Sequence, residues 1–103
     1  MKLIAVTSCP VGMAHTYMAA SSLKKTAKRL GYEIKVETQG ALGIQNRLSS
    51  VDIEEADVFI LAADVALQEA ERFDQCATYK VSTSQLIKKC EKSITEAIAS
   101  LQA

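Results

Sequence analysis

Between Lys2 and Ser8 the chain carries an unbroken apolar centre, Leu3-Ile4-Ala5-Val6, with the length and composition of a buried strand. From about Thr16 to Leu30 the period becomes helical: Ala20, Leu23, Ala27 and Leu30 share one face, and Lys24, Lys25, Lys28 and Arg29 the other. Gly31 stands where a helix-terminating glycine belongs. Tyr32 to Thr38 alternates, with Ile34 and Val36 on one side and Glu33, Lys35 and Glu37 on the other, which suits an edge strand better than a central one. Gln39 to Leu48 reads as a glycine-containing loop. Ser49-Ser50-Val51-Asp52 has the form of a capping box and opens a short helix ending near Ala56. Val58-Phe59-Ile60-Leu61-Ala62-Ala63, closed by Asp64, is a continuous apolar run of strand length, expected to be central and covered on both faces. Val65 to Phe73 reads as a loop with one or two helical turns, and Ala77 to Val81 as a brief fourth strand. A second capping pattern, Ser82-Thr83-Ser84-Gln85, begins a last helix in which Leu86, Ile87, Cys90, Ile94, Ala97, Ile98 and Leu101 recur at helical spacing to the C-terminus.

Strands alternating with helices predict an α/β fold: an open, parallel four-stranded sheet with helices on both faces, Rossmann-like or flavodoxin-like. The two strongly apolar strands, first and third, belong in the middle, giving the order 2-1-3-4. Winding reverses between them, and ligands of such sheets bind at the carboxyl ends of the strands at that point. That edge carries Cys9, Thr38-Gln39-Gly40, Ala63-Asp64 and Ser82-Thr83. The 103 residues form a single domain, 1–103, large enough for a core without staples.

Composition narrows the class of function. Twelve basic and twelve acidic residues leave no formal net charge, which gives no footprint for nucleic acid. No apolar run approaches the roughly 18 residues of a membrane span, and the N-terminus lacks a signal-peptide layout, so a cytoplasmic protein is expected. Three widely spaced cysteines, Cys9, Cys76 and Cys90, lack the paired motifs of zinc or dithiol sites. They read as reduced thiols, with no metal and no cofactor.

The chemistry concentrates in Ser8-Cys9-Pro10-Val11-Gly12-Met13-Ala14-His15-Thr16, where a nucleophile and a turn glycine lie between a strand and a helix start. The first amides of a helix are unpaired and carry partial positive charge, so such a loop cradles a phosphate or a thiolate. Pro10 cannot donate, leaving the amides from Val11 to His15. A thiol with an ordinary pKa near 8.5 needs roughly two units of depression to work at neutral pH, about 2.7 kcal/mol. A helix dipole supplies at best about 2 kcal/mol. Hydrogen bonds to the sulfur, or a cationic His15, must supply the rest. Five residues separate Cys9 from His15-Thr16, close to the C-x5-R-S/T loop of cysteine phosphatases but with histidine in place of arginine. Without arginine's two-pronged grip, the loop is expected to hold phosphate without promoting hydrolysis.

The run Cys9-Pro10-Val11-Gly12-Met13-Ala14-His15-Thr16-Tyr17-Met18-Ala19-Ala20 resembles the phosphorylation signature C-P-T-G-x-A-H-T of fructose-type enzyme IIB components of the bacterial sugar phosphotransferase system. The resemblance continues through Val36-Glu37-Thr38-Gln39-Gly40 with Gly43, Asp52-Ile53, Ala56-Asp57, Ala62-Ala63-Asp64 and Glu71-Arg72-Phe73. It implies that Cys9 accepts a phosphoryl group from a phosphohistidine of enzyme IIA and passes it to a fructose or fructose-like sugar held by the membrane component, enzyme IIC. The domain would then work at the inner membrane through enzyme IIC without spanning it. Pro10, Val11, Gly12, Met13, Ala14, His15 and Thr16 are the expected phosphate-binding residues. Val11 departs from the family's threonine and removes one possible phosphate hydrogen bond.

Plainer readings stand beside these. His15 can donate to phosphate or simply begin the helix, and Thr16 likewise. Val11 and Met13 form either a docking rim for enzyme IIA or loop residues tucked inward. Lys24, Lys25, Lys28 and Arg29 read as a solvated face. Glu37 and Asp64 would repel a phosphoryl group, so loop ordering or capping suits them; Arg72 is expected to pair with a local acid. Gln39 and Gly40 are placed in the site wall, and Cys90 in the core. A Met1 start and an end directly after the last helix fit a free subunit. Two other functions compete: a phosphate-binding regulatory module, and a small cysteine phosphatase or arsenate-type reductase. The missing arginine weighs against the phosphatase and the lack of an obvious resolving cysteine against the reductase.

Overall fold

The computed structural model describes residues 2–8, 13–40, 43–63, 70–73 and 78–102. In chain order these form β1 (Lys2–Ser8), α1 (Met13–Arg29), β2 (Glu33–Gly40), β3 (Gly43–Gln45), α2 (Ser50–Glu55), β4 (Val58–Ala63), a 3-10 turn (Ala70–Phe73), β5 (Thr78–Lys80), α3 (Thr83–Lys88) and α4 (Cys90–Gln102). They build a five-stranded sheet in the order β3-β2-β1-β4-β5. β1 runs parallel to β2 and β4, β4 parallel to β5, and β3 antiparallel to β2.

The α/β architecture agrees with the sequence, but the expected four-stranded, all-parallel sheet does not. Part of the expected loop from Gln39 to Leu48 is β3, which pairs Gln45 with Thr38 and Gly43 with Gly40. β2 therefore lies inside the sheet rather than at its edge. Its polar alternation survives there because Glu37 and Gln39 are buried against partners rather than turned to water.

Period-2 alternation divides the sheet between two cores. Leu3, Ala5, Val36, Val58, Ile60 and Ala62 pack on one face against Ala19, Leu23 and Ala27 of α1 and Leu86, Cys90, Ile94 and Ala97 of α3 and α4. Ile4, Val6 and Phe59 pack on the other against Leu48 and Phe73, flanked by Ile53 and Ala56. A fully buried side chain such as Leu23 or Ile60 contributes about 1.5–3 kcal/mol.

Helix ends follow the local signals closely. Gly31 has φ +85°; its N–H bonds the Lys28 carbonyl at 3.1 Å and the Tyr32 N–H bonds Ala27 at 2.9 Å, a Schellman closure of α1. Ser49 caps α2 reciprocally, its hydroxyl accepting from Asp52 N at 3.1 Å and Asp52 Oδ2 accepting from Ser49 N at 3.0 Å. Ser82 Oγ accepts from Gln85 N at 3.1 Å.

Two helix boundaries differ from expectation. α1 begins at Met13, three residues before the expected start at Thr16, because its first turn carries no acidic residue to mark it. The single last helix is two, broken at Lys89 (φ −138°, ψ 54°). Lys89 N–H ends α3 on the Gln85 carbonyl at 2.8 Å, while its own carbonyl accepts from Ser93 N at 3.0 Å in α4. Leu86, Cys90 and Ile94 stay buried across the break, so the apolar pattern runs through it unchanged.

Candidate functional site

The carboxyl edge of the sheet gathers polar residues at the ends of otherwise apolar strands. Ser8, the last residue of β1, lies opposite Gln39 of β2 and Ala63 of β4; one step back, Thr7 lies opposite Thr38 and Ala62. Thr7, Ser8, Thr38 and Gln39 are all buried. The strands β2 and β4 that flank β1 are reached by opposite winding, so the reversal point of the sheet falls at Ser8.

Alternation sends Thr7 and Thr38 to the face covered by α1. The Thr7 hydroxyl donates to the Thr16 carbonyl at 3.2 Å, pinning the start of the helix to the end of the strand. Thr16 is 1% exposed and Thr38 4%. Among the described residues, neither hydroxyl has a hydrogen-bond partner. A buried hydroxyl left unpaired costs about 1–3 kcal/mol, so two of them at one edge are a reserve of unmet hydrogen-bonding capacity. α1 adds first-turn amides that have no partner within the helix and the positive end of a 17-residue helix, undiminished by any acid in its first turn.

On the opposite face, Glu37 is fully buried and accepts hydrogen bonds from three described residues. Arg72 grips it with two prongs, Nη1 to Oε1 at 2.9 Å and Nη2 to Oε2 at 2.8 Å. Gln39 Nε2 donates to Oε2 at 2.8 Å, and Leu48 N to Oε1 at 2.9 Å. Burial alone would raise the Glu37 carboxyl; the bonds from Arg72, then Gln39 and Leu48, outweigh it and hold the group below its ordinary value. Arg72 also reaches the Leu48 carbonyl at 3.3 Å and lies 4.7 Å over the Phe73 ring, which packs on Phe59 at 4.6 Å. One carboxylate thus ties β2, the β3–α2 connection and the 3-10 turn together.

Of the expected site residues, Cys9, Pro10, Val11 and Gly12 lie outside the described residues, as do Asp64, Cys76 and Ala77. Met13, Ala14, His15 and Thr16 form the opening turn of α1, which begins five residues on from the end of β1. Glu37 orders a loop, as its chemistry suggested, through the Leu48 amide. Arg72 does pair with an acid, but one 35 residues away in sequence rather than nearby. Gln39 lies at the carboxyl edge opposite Ser8, its amide turned onto Glu37. Thr38, which the sequence placed at this edge without giving it a role, lies on the helix side, and its missing partner marks it out. Lys24, Lys25, Lys28 and Arg29 are exposed. Cys90 is a free, buried thiol that burial pushes above its ordinary value, against weaker opposing effects of Thr26 and Arg29. No helix among the described residues is long and apolar enough to cross a membrane.

Fold and edge together define an open α/β domain whose winding reverses at the end of β1. Residues 4–96 match the family model described as "PTS system, Lactose/Cellobiose specific IIB subunit". The chain is 47% identical over 104 residues to the PTS system fructose-like EIIB component 1 of Escherichia coli K12, covering 98% of this chain and 96% of the relative. It superposes with TM-score 0.89 on a domain of the fructose-specific IIABC component of Borrelia burgdorferi (47% identical; 95% and 93% of the two chains). It also superposes with TM-score 0.86 on the enzyme IIB subunit of a PTS system from Escherichia coli K12 (47% identical; 99% and 97%). The chain belongs to the PTS IIB family, the IIB components of sugar phosphotransferase systems, and its relatives place it on the fructose-like branch.

Proposed function

We propose that this IIB component carries phosphoryl groups on Cys9, from a phosphohistidine of enzyme IIA to a fructose-like sugar held by the membrane component, enzyme IIC. The carrying observation is the convergence at Ser8: the strand next to the proposed nucleophile ends where the sheet's winding reverses, and α1 opens five residues later with amides that have no partner within the helix and with no acid in its first turn. Fructose-like specificity rests on the name of the 47% identical relative, which spans almost the whole chain.

Transfer runs as two in-line displacements. In the first, the Cys9 thiolate forms a bond to phosphorus while the phosphorus–nitrogen bond of the donor breaks and the imidazole leaves with its electron pair. In the second, a sugar hydroxyl oxygen forms the new bond, its proton goes to a base on the sugar-binding side, and the thiolate departs. Pro10, Val11, Gly12, Met13, Ala14, His15 and Thr16 surround the phosphoryl group in this reading. The free amides at the start of α1 favour thiolate and phosphothiolate alike. Val11 leaves the backbone to do what a threonine hydroxyl would share.

Incubation with phosphoenolpyruvate, the general phosphotransferase proteins and enzyme IIA should place an acid-stable, iodine-labile phosphate on Cys9. Absence of label, or label that survives Cys9→Ser, overturns the proposal.

A further inference from the structure

Charge is segregated across the sheet. The layer of α1, α3 and α4 that covers one face carries seven of the twelve basic residues: Lys24, Lys25, Lys28 and Arg29 on α1, and Lys88, Lys89 and Lys92 at the α3–α4 break. It holds two of the twelve acidic ones, Glu91 and Glu96. A chain of no formal net charge thus bears +5 on this layer and −5 elsewhere, with Asp52, Glu54 and Glu55 on α2 over the other face. Within the layer, Arg29 pairs with Glu91 at 2.9 Å and Lys92 with Glu96 at 3.9 Å. Lys24, Lys25, Lys28, Lys88 and Lys89 are exposed and form no ion pair among the described residues. Folding alone does not ask for this arrangement. A cation suits the last turn of a helix, which accounts for Lys28, Arg29 and Lys88. Lys92 stands instead in the first turn of α4, the disfavoured end, and Lys24–Lys28 and Lys25–Arg29 are like charges four residues apart, which weaken a helix. Lys25, Arg29, Lys88, Lys89 and Lys92 line one open groove between α1 and the α3–α4 break.

We propose that this face is a docking surface for the anionic headgroups of a phospholipid bilayer. Among the described residues, its exposed side chains from Ser21 onward are Lys, Arg, Glu, Ser, Thr, Gln and Ala. The large apolar residues that are exposed, Tyr17, Met18 and Val51, lie near the start of α1 or on α2. A protein interface centres instead on aromatic and apolar anchors and is poor in lysine. Nucleic-acid bases call for exposed rings to stack on, which the described part of this face does not offer. Lysine is a compact charge on a long stem, suited to a shifting array of lipid phosphates, whereas a fixed anion is better gripped by arginine forks. Each lysine brought near an anionic bilayer strengthens binding about fivefold. Lys25 lies about 18 Å along the α1 axis from Met13, which opens the helix at the carboxyl edge. A bilayer under this layer leaves that edge clear and turns the acidic α2 side to the water. The contact is independent of which residue carries phosphate.

Sedimentation of the full chain with vesicles of phosphatidylcholine, alone or mixed with phosphatidylglycerol, tests it. At about 0.1 M salt the protein is expected to sediment with the phosphatidylglycerol vesicles and not with phosphatidylcholine alone. At about 1 M salt, where the screening length falls from about 10 Å to about 3 Å, it is expected to be released. Lys25→Gln, Lys88→Gln and Lys89→Gln together are expected to weaken binding about a hundredfold. Lys2→Gln, Lys35→Gln and Lys80→Gln together change the net charge equally from outside the layer and are expected to leave binding within a few-fold, both variants being checked for folding by circular dichroism. Should the first not fold, Lys24→Gln with Lys28→Gln is expected to weaken binding about twentyfold. No binding to either vesicle, equal binding to both, or a folded layer variant that binds like wild type overturns the proposal. So does capture by duplex DNA or by polyglutamate in preference to the vesicles, which assigns the face to a different anion.

Discussion

Thr16 and Thr38 carry the sharpest contrast between folding and function, because each buries a hydroxyl that no described residue satisfies. Replacing Thr38 by the isosteric valine removes an unmet donor rather than a made bond, so stability is expected to hold or rise by up to about 1–2 kcal/mol in urea titration. If the hydroxyl serves the phosphoryl group, the same change slows phosphorylation of Cys9 several-fold. A variant both less stable and fully active would refute that division of roles. Thr16→Val is expected to behave the same way while keeping the Thr7 bond, which uses the Thr16 carbonyl rather than its hydroxyl. Little of this was legible beforehand. Spacing from Cys9 pointed to Thr16, and strand order put Thr38 at the right edge without a role, because a missing partner is a property of the folded neighbourhood.

Elements were legible where their signals are local. Gly31, the Ser49 box and the apolar run Val58–Ala63 each carry their reason within a few residues, and each sits as expected. Ser49→Ala removes one half of a capping box and is expected to cost about 1 kcal/mol, read as a lower urea midpoint with unchanged phosphorylation. Gly31→Ala meets open space but a φ of +85°, so its cost, about 1–2 kcal/mol, is purely conformational. β3 was hidden because three residues have no periodicity of their own; they become a strand by pairing with β2. The break at Lys89 was hidden because Lys88-Lys89-Cys90 contains neither glycine nor proline, and the buried stripe continues through it. The polar side of β2 misled for a related reason: the partner that allows Glu37 to be buried is 35 residues away in sequence.

For the molecule as a whole, the perturbed carboxylates fix the direction of acid response. Glu37 lies below its ordinary 4.5, and Asp52 is drawn from 3.8 to about 2 by the Lys35 ammonium and then the Ser49 amide. Folded values below unfolded ones mean that the unfolded chain takes up protons first as the pH falls. Their stabilisation is complete above the unfolded values and fades as the pH drops toward the folded ones. The urea midpoint should therefore be flat from neutrality to about pH 5 and decline below it. Glu37→Gln with Arg72→Met should shallow that decline, and an equally steep decline in this double variant would remove Glu37 from the account.

The antiparallel ribbon β3 has a consequence for how the protein lives in a crowded solution. A bare outer strand invites a foreign chain to add to it, and the eight residues of β2 would make a long template. With β3 in place, both rims of the sheet among the described residues, Gly43–Gln45 and Thr78–Lys80, offer three residues each. Such short selvedges give an intruding strand too few bonds to hold. The chain can meet successive partners through side chains and loops without its backbone being knitted into theirs.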